Sequence, residues 1–381
     1  MIEPFRIGNR NVYLRKAIKT PNWNTDRVLT QNTFKFAELW LSRNKQHIGF
    51  KNYEVIKSLW KQAENYYTVS KTLPAVAAPL TLHYCYLNAI KALLRFKGIQ
   101  YKYTNNHGIS GSNYIKGGYS SANERTLESE VVTLDSEGEK KGITPTLSKY
   151  LGEPEKHQHH TLKDLLANLV FIHRAYEHTF REENHSFDPE QEFFIPLKNA
   201  GYKINKETNR VYFSAEIKDL FLGKTNLQSL ASNQTVDFHE DFEIIRKHDK
   251  NIIQSKKDIE WLLAGVDEKE KKAAFTNLHA FHRKLRMHLD YISAPLDLWY
   301  IKQNKVNNTP IIKRYNITII MLIMHRLSEL ARYEPGILAE YLDSRANWLL
   351  REFIQFSPHQ FIDELTCEMT SLELAVPGIR P

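Results

Sequence analysis

The chain has 381 residues, 42% hydrophobic and 25% charged, an ordinary globular composition that excludes wholesale disorder. Its two cysteines, Cys85 and Cys367, sit in apolar surroundings and are too few for a disulfide framework or a thiolate metal site. The net charge of +8 is uneven: residues 1–120 hold 18 Lys/Arg against 5 Asp/Glu, a polarity suited to a nucleic-acid or other polyanion surface.

The opening MIEPFRIGNRNVYLRK lacks the uninterrupted apolar stretch of a secretory signal. The longest apolar run, Ile317 to Met324 broken only by Thr318, falls short of the roughly 18–20 residues that span a bilayer. A cytoplasmic protein with no membrane segment is expected.

Two amphipathic helices are predicted over residues 30–47 and 51–72. In the second, Tyr53, Ile56, Leu59, Trp60, Ala63 and Tyr67 recur at helical spacing, and Pro74 follows. A third helix runs through AVAAPLTLHYCYLNAIKALLRFKG, with Gly98 placed to cap its end. At about 100° per residue, Thr81, Tyr84, Asn88, Lys91 and Arg95 share an arc of about 80°, and nearly all other positions are apolar. Such a helix is buried on three sides. Its stripe is either a plain polar edge or a groove in which Asn88, Lys91 and Arg95 bind nucleic acid or a partner.

Residues 102–155 begin with a Gly/Ser/Asn-rich loop whose glycines match no phosphate-cradling motif. ESEVVTLDSEGEKKG then reads as a strand with a turn at 135–138. His157, His159 and His160 precede a helix predicted over 161–182, where Thr161 and Asp164 form an N-cap signal. No further ligand stands at metal-binding spacing, so a polar loop is preferred to a metal site, and neither metal nor cofactor is expected.

YKINKETNRVYFSAEI reads as a hairpin, with Tyr202 and Ile204 facing Val211 and Phe213 across the turn. Helices are then predicted over about 255–305, 311–333 and 335–356, bounded by Pro310, Pro335 and Pro358. On the first of these, His279, His282, Arg283 and Arg286 share about 100° of arc beside an apolar face of Phe275, Leu278, Leu285, Leu289 and Ile292. Arginine and imidazole donors on one face suit phosphate binding, and a histidine there could move a proton. A solvated flank of a core helix explains the group equally well.

Three stretches carry a family resemblance: APLTLHYCYLNAIKALLRFKG followed by NNHGIS, then TLKDLLANLVFIHRAYEHTF, then ITIIMLIMHRLSELARYEPGILAEYL with a later PHQF. Together, and in this order, they resemble the YaaC-like family. A more distant likeness, of the third helix and the His107-Gly108 after it, is to HEPN helical bundles of bacterial toxins and phage-defence proteins. It implies a mainly α, HEPN-like bundle with small β-hairpin insertions, acting as a homodimer. It also implies an Arg-x4–6-His pair for metal-independent RNA cleavage, matched here by Arg283 and His288. On a regular helix those two residues point about 140° apart.

Four regions follow: a basic helical one at 1–100, a loop and hairpin insertion at 101–160, a helix with a small β region at 161–250, and a helical one at 251–381 packed with 30–100. Two functions remain open. One is a non-catalytic binding or scaffold subunit of a bacterial complex, meeting RNA, another polyanion or a protein partner through its basic surface. The other is the ribonuclease, with Arg283 and His288 as catalytic residues.

Overall fold

The computed structural model describes residues 1–101, 108–114, 125–135, 142–154, 158–180, 193–217, 241–247, 250–261, 267–294, 298–302 and 310–377. Its helices, in chain order, are α1 (Thr33–Arg43), α2 (Lys45–Ile48), α3 (Phe50–Ser70), α4 (Ala78–Phe96), α5 (Ile143–Leu151), α6 (Leu162–Ala167), α7 (His173–Phe180), α8 (Glu268–Arg286), α9 (Asn316–Tyr333), α10 (Pro335–Asp343) and α11 (Asn347–Thr370). The chain divides into two compact units.

The helical unit comprises Thr30–Arg181, Ile312–Thr370 and Ile379–Pro381. Its central element is α4, which packs against α3, α5, α9 and α11. The apolar circumference of α4 accounts for that position, because Leu82, Cys85, Tyr86, Ala89, Ile90, Leu93 and Leu94 point to different sides and all are buried. The helix closes on Gly98 at φ 69°, with Gly98 N–H donating to Arg95 O and Ile99 N–H to Leu94 O. This is the glycine-dependent Schellman ending. The apolar run Ile317 to Met324 lies in α9, where every residue from Asn316 to Ser328 is buried. Among the described residues no helix is long and apolar enough to cross a membrane. A three-stranded antiparallel sheet, Ile109–Asn113, Glu130–Leu134 and Gln158–Thr161, lies against α9.

The second unit, Met1–Leu29, Glu182–Ile311 and Ser371–Gly378, overturns the expected mainly α, HEPN-like bundle with small β-hairpin insertions. It is built on an antiparallel sheet of eight strands. Six follow in the order Phe242–Lys247, Lys250–Ser255, Arg210–Ile217, Phe194–Asn205, Leu298–Lys302 and Leu289–Ile292. Ile2–Pro4 joins Phe194–Asn205, and Ile259–Glu260 joins Arg210–Ile217. The expected hairpin is present at the centre, with Tyr202 opposite Phe213 and Ile204 opposite Val211. Its core includes Trp23, Tyr202, Phe213, Trp261, Leu278 and Phe281.

Several predicted boundaries also change. The helix expected over 255–305 is only α8, begun by a capping box of Asp267 and Glu270, and the chain then turns into two strands. Leu285, Leu289 and Ile292 keep helical spacing past the last helical residue, yet Leu289–Ile292 pairs antiparallel with Leu298–Lys302 and so leaves the helix. Pro358 does not end its helix but lies inside α11, whose residues from Gln360 to Thr370 are all buried. Burial on that scale outweighs a proline cost of about 3 kcal/mol. The 161–182 helix is two short helices joined by a 3₁₀ turn at Val170–Ile172, and Thr161 caps the first by accepting Asp164 N–H at 3.0 Å. His159 and His160 lie on the strand Gln158–Thr161 rather than in a loop; His157 and most of the 135–138 turn lie outside the described residues.

Candidate functional site

The stripe expected on α4 keeps its partial exposure. Thr81, Tyr84, Lys91 and Arg95 are half-buried, while Asn88 is buried and its amide donates to Tyr84 O at 3.0 Å. That bond folds Asn88 back on its own helix. Burial holds the Lys91 ammonium below the ordinary lysine range. Tyr84 stacks on Tyr66 of α3 with centroids 5.5 Å apart.

Around this stripe the helical unit is basic, with ten Lys/Arg against three Asp/Glu between residues 33 and 97. Of the three acids, Glu64 already pairs with Lys35 at 3.2 Å and Lys61 at 2.7 Å. Lysines lie over rings along α2 to α4. Lys45 is 4.4 Å from the Phe50 centroid and 5.1 Å from that of Tyr53; Lys57 is 5.8 Å from Tyr53, and Lys97 is 5.4 Å from Phe96. Phe50 is 65% exposed, which leaves ring surface at the protein boundary beside Lys51. Cations interleaved with an open aromatic ring are what a single-stranded nucleic acid meets in its binding proteins.

In the sheet unit the helix α8 brings His279, His282 and Arg286 onto the N-terminal segment. His282 Nε2 lies 2.9 Å from Ala17 O and its Nδ1 lies 2.7 Å from the Tyr202 hydroxyl. The carbonyl requires a proton on Nε2, so in the neutral ring Nδ1 accepts from the Tyr202 hydroxyl. Burial, followed by the charge of Arg286, holds this imidazole down at about 3. His279 Nε2 lies 3.2 Å from Pro21 O and its ring stacks on Trp23. Arg286 donates to Leu289 O and, at 3.4 Å, to Lys16 O, and lies 5.1 Å from the Trp299 ring centre. His282 and Arg286 are 0% and 1% exposed, so both serve as clamps on the N-terminal segment.

The two candidate catalytic residues belong to different elements. Arg283 is half-buried in the last turn of α8. His288 follows the end of the helix, with Nε2 3.3 Å from Asp241 Oδ2 and its ring edge-on to Phe242. The hydrogen bond from His288 outweighs the effect of burial and holds the Asp241 carboxyl down at about 2. Among the described residues no group of three or more His, Cys, Asp or Glu is placed to hold a metal ion.

Two constellations in the helical unit carried no sequence signal. The first surrounds Glu130, which is 0% exposed and accepts from Arg125, Arg326 and Tyr341. Arg125 also bonds Glu334, the residue between α9 and α10, and Arg326 bonds Glu329 at 2.9 Å. Burial acts to raise the Glu329 carboxyl, but the hydrogen bond from His325 and then Arg326 leave it below its ordinary range. The second is a cavity of about 250 Å³ between α1, α3 and α11, which includes His359 of the PHQF segment. Residues from distant segments build both, so no spacing announces them.

No curated protein and no solved structure matches the chain. The YaaC-like protein family model matches residues 18–369, nearly the whole length and across both units, and the chain belongs to that family.

Proposed function

We propose that the protein is a non-catalytic binding subunit whose helical unit engages single-stranded nucleic acid through the basic, aromatic face of α2 to α4. The observation that carries this reading is the exposed ring of Phe50 with Lys45 over it, and the exposed Lys51 and Lys57 on the same helix. Lysines follow phosphates, and an open ring stacks on a base of any identity. The charge balance of residues 33–97 supplies the long-range attraction.

The test is fluorescence anisotropy of the full chain with a labelled single-stranded RNA and, separately, a polyglutamate peptide, across 50–300 mM salt. The expected result is RNA binding that weakens as salt rises, and weakens further in Lys51→Glu and Lys57→Glu. Binding of the peptide without RNA would assign the face to an acidic protein instead. A flat salt response, or no binding by either probe, would remove the reading. Gel analysis of the same RNA is expected to show it intact; cleavage lost in both Arg283→Ala and His288→Ala would replace the binding role with a nuclease.

A further inference from the structure

Helix α4 carries no Asp or Glu, and on its polar stripe Lys91 and Arg95 stand about one turn apart. Both are half-buried. Among the described residues neither side chain makes a hydrogen bond or an ion pair. Burial alone holds the Lys91 ammonium below its ordinary range, and Arg95 Nε is shut off from water without an acceptor.

Elsewhere in the helical unit buried cations are matched. Arg314 pairs with Glu153 at 3.1 Å, and Arg125 and Arg326 each pair with Glu130 at 2.7 Å. The acids of the neighbouring α3 give Lys91 and Arg95 no such partner. Glu64 is held by Lys35 and Lys61, and Glu54 is exposed and bonds to neither cation. A charge partly withdrawn from water costs free energy until a counter-charge meets it. Lys91 and Arg95 together call for an anion from outside the chain.

Charge and reach select the anion. Side chains one turn apart on a helix have Cβ atoms about 5–6 Å from each other and can close on one small group. Arginine offers it a planar fork and lysine a point charge. A carboxylate or a phosphodiester brings a single negative charge and leaves one cation unmatched. A phosphate monoester brings roughly 1.5–2 negative charges near pH 7, with three acceptor oxygens. Free carbonyls at the end of α4 would repel such a group. Here they are covered, since Leu93 O accepts from Lys97 N–H, Leu94 O from Ile99 N–H and Arg95 O from Gly98 N–H.

We propose that Lys91 and Arg95 bind a phosphate monoester, supplied either by the end of a nucleic-acid strand or by a free sugar phosphate. The pair lies on α4, apart from Phe50, Lys51 and Lys57 of α3, and the proposal does not rest on the nucleic-acid reading.

The test is isothermal titration of the full chain with ribose 5-phosphate, with ribose, and with dimethyl phosphate, a singly charged diester. Saturable binding of ribose 5-phosphate is expected, with dimethyl phosphate at least tenfold weaker and ribose unbound. Affinity should fall as pH drops below about 6, where the ester loses its second charge. Lys91→Met and Arg95→Met should each weaken ribose 5-phosphate by tenfold or more, with circular dichroism checking the fold. Arg95→Lys keeps the charge and should recover part of the loss; with Lys91→Met it carries the test if Arg95→Met fails to fold. Anisotropy with one RNA in 5′-phosphorylated and 5′-hydroxyl forms separates the two sources. A preference for the phosphorylated form, lost in Lys91→Met and kept in Lys51→Glu, assigns the pair to a strand end; equal binding of the two forms assigns it to the free ester. Three results would overturn the proposal. They are the absence of both ribose 5-phosphate binding and a 5′-phosphate preference, equal binding of ribose 5-phosphate and dimethyl phosphate, and unchanged affinity in both Lys91→Met and Arg95→Met.

Discussion

Arg326 holds Glu130 through two hydrogen bonds to a single carboxylate oxygen, from Nε at 2.8 Å and Nη2 at 2.7 Å. The other oxygen accepts Arg125 Nε at 2.9 Å, Arg125 Nη2 at 2.7 Å and the Tyr341 hydroxyl at 2.7 Å. A carboxylate removed from water in this way is stable only while its donors stay, because the loss of one partner leaves buried charge uncompensated. Arg326→Met is expected to destabilise the protein by about 3–5 kcal/mol. Tyr341→Phe, which removes one donor to a charged acceptor, should cost about 1.5–3 kcal/mol. Urea unfolding followed by circular dichroism measures both. A loss below about 1 kcal/mol for Arg326→Met is the value of an exposed pair and would mean that water reaches Glu130.

Gly111 gives a second test of the same knot. A Cβ there would run into the Glu329 carboxylate and the Arg326 side chain. Gly111→Ala should cost about 1–3 kcal/mol through displacement of packed groups. The cost should shrink when Arg326→Met is already present, since the two sites share one set of contacts. Strict additivity in that double-mutant cycle would separate Gly111 from the ion-pair network.

The sequence exposed what is local and concealed what is assembled. The stripe on α4 was legible because Thr81, Tyr84, Lys91 and Arg95 keep a helical period over fifteen residues of unbroken helix. The Tyr202–Phe213 hairpin was legible because both partners flank one turn. The rest of the sheet was not. Leu298–Lys302 pairs with Phe194–Asn205, and Ile2–Pro4 pairs with that same strand, so its partners come from far before and far after it in the sequence. Leu289–Ile292 is only four residues long and continues the apolar spacing of α8, so periodicity alone reads it as helix. The α8 histidines were recognised as a group, but only the fold reveals that Ala17 and Pro21 carbonyls face them. Arg326, Glu130 and Tyr341 each look like ordinary residues of an amphipathic element until the chain brings them together.

His282 predicts a pH dependence with a definite sign. Its imidazole titrates near 6.5 when unfolded and near 3 when folded, so the native state binds fewer protons between those values. The stability linked to neutral His282 is therefore complete above pH 6.5 and declines as pH falls toward 3. The slope is at most about 1.4 kcal/mol per pH unit for one such group. His160, held at about 4 by burial and then by Arg314, adds to the same trend over a shorter window. His282→Asn should lower stability at pH 7, by loss of the Tyr202 and Ala17 bonds, and flatten the decline between pH 6.5 and 4.5. Urea midpoints at half-unit pH steps measure this. An unchanged slope in the variant would mean that His282 is protonated in the native state.

Phe50 and Lys51 separate the two contributions to nucleic-acid affinity. Both residues lie at the start of α3 and are exposed. Phosphate contacts release counterions, so losing one reduces the slope of log K against log salt by about 0.7 for a single strand. Stacking releases none and leaves the slope alone. Phe50→Ala is therefore expected to weaken RNA binding by about 1–3 kcal/mol at every salt concentration, with parallel salt plots. Lys51→Glu should weaken binding most at low salt and give a shallower line. The variants should also differ in sequence preference, since a ring accepts any base while differing in stacking strength among them. If Phe50→Ala instead changes the slope and not the intercept, the ring acts by placing Lys45, which lies 4.4 Å from its centre, and stacking on bases is excluded.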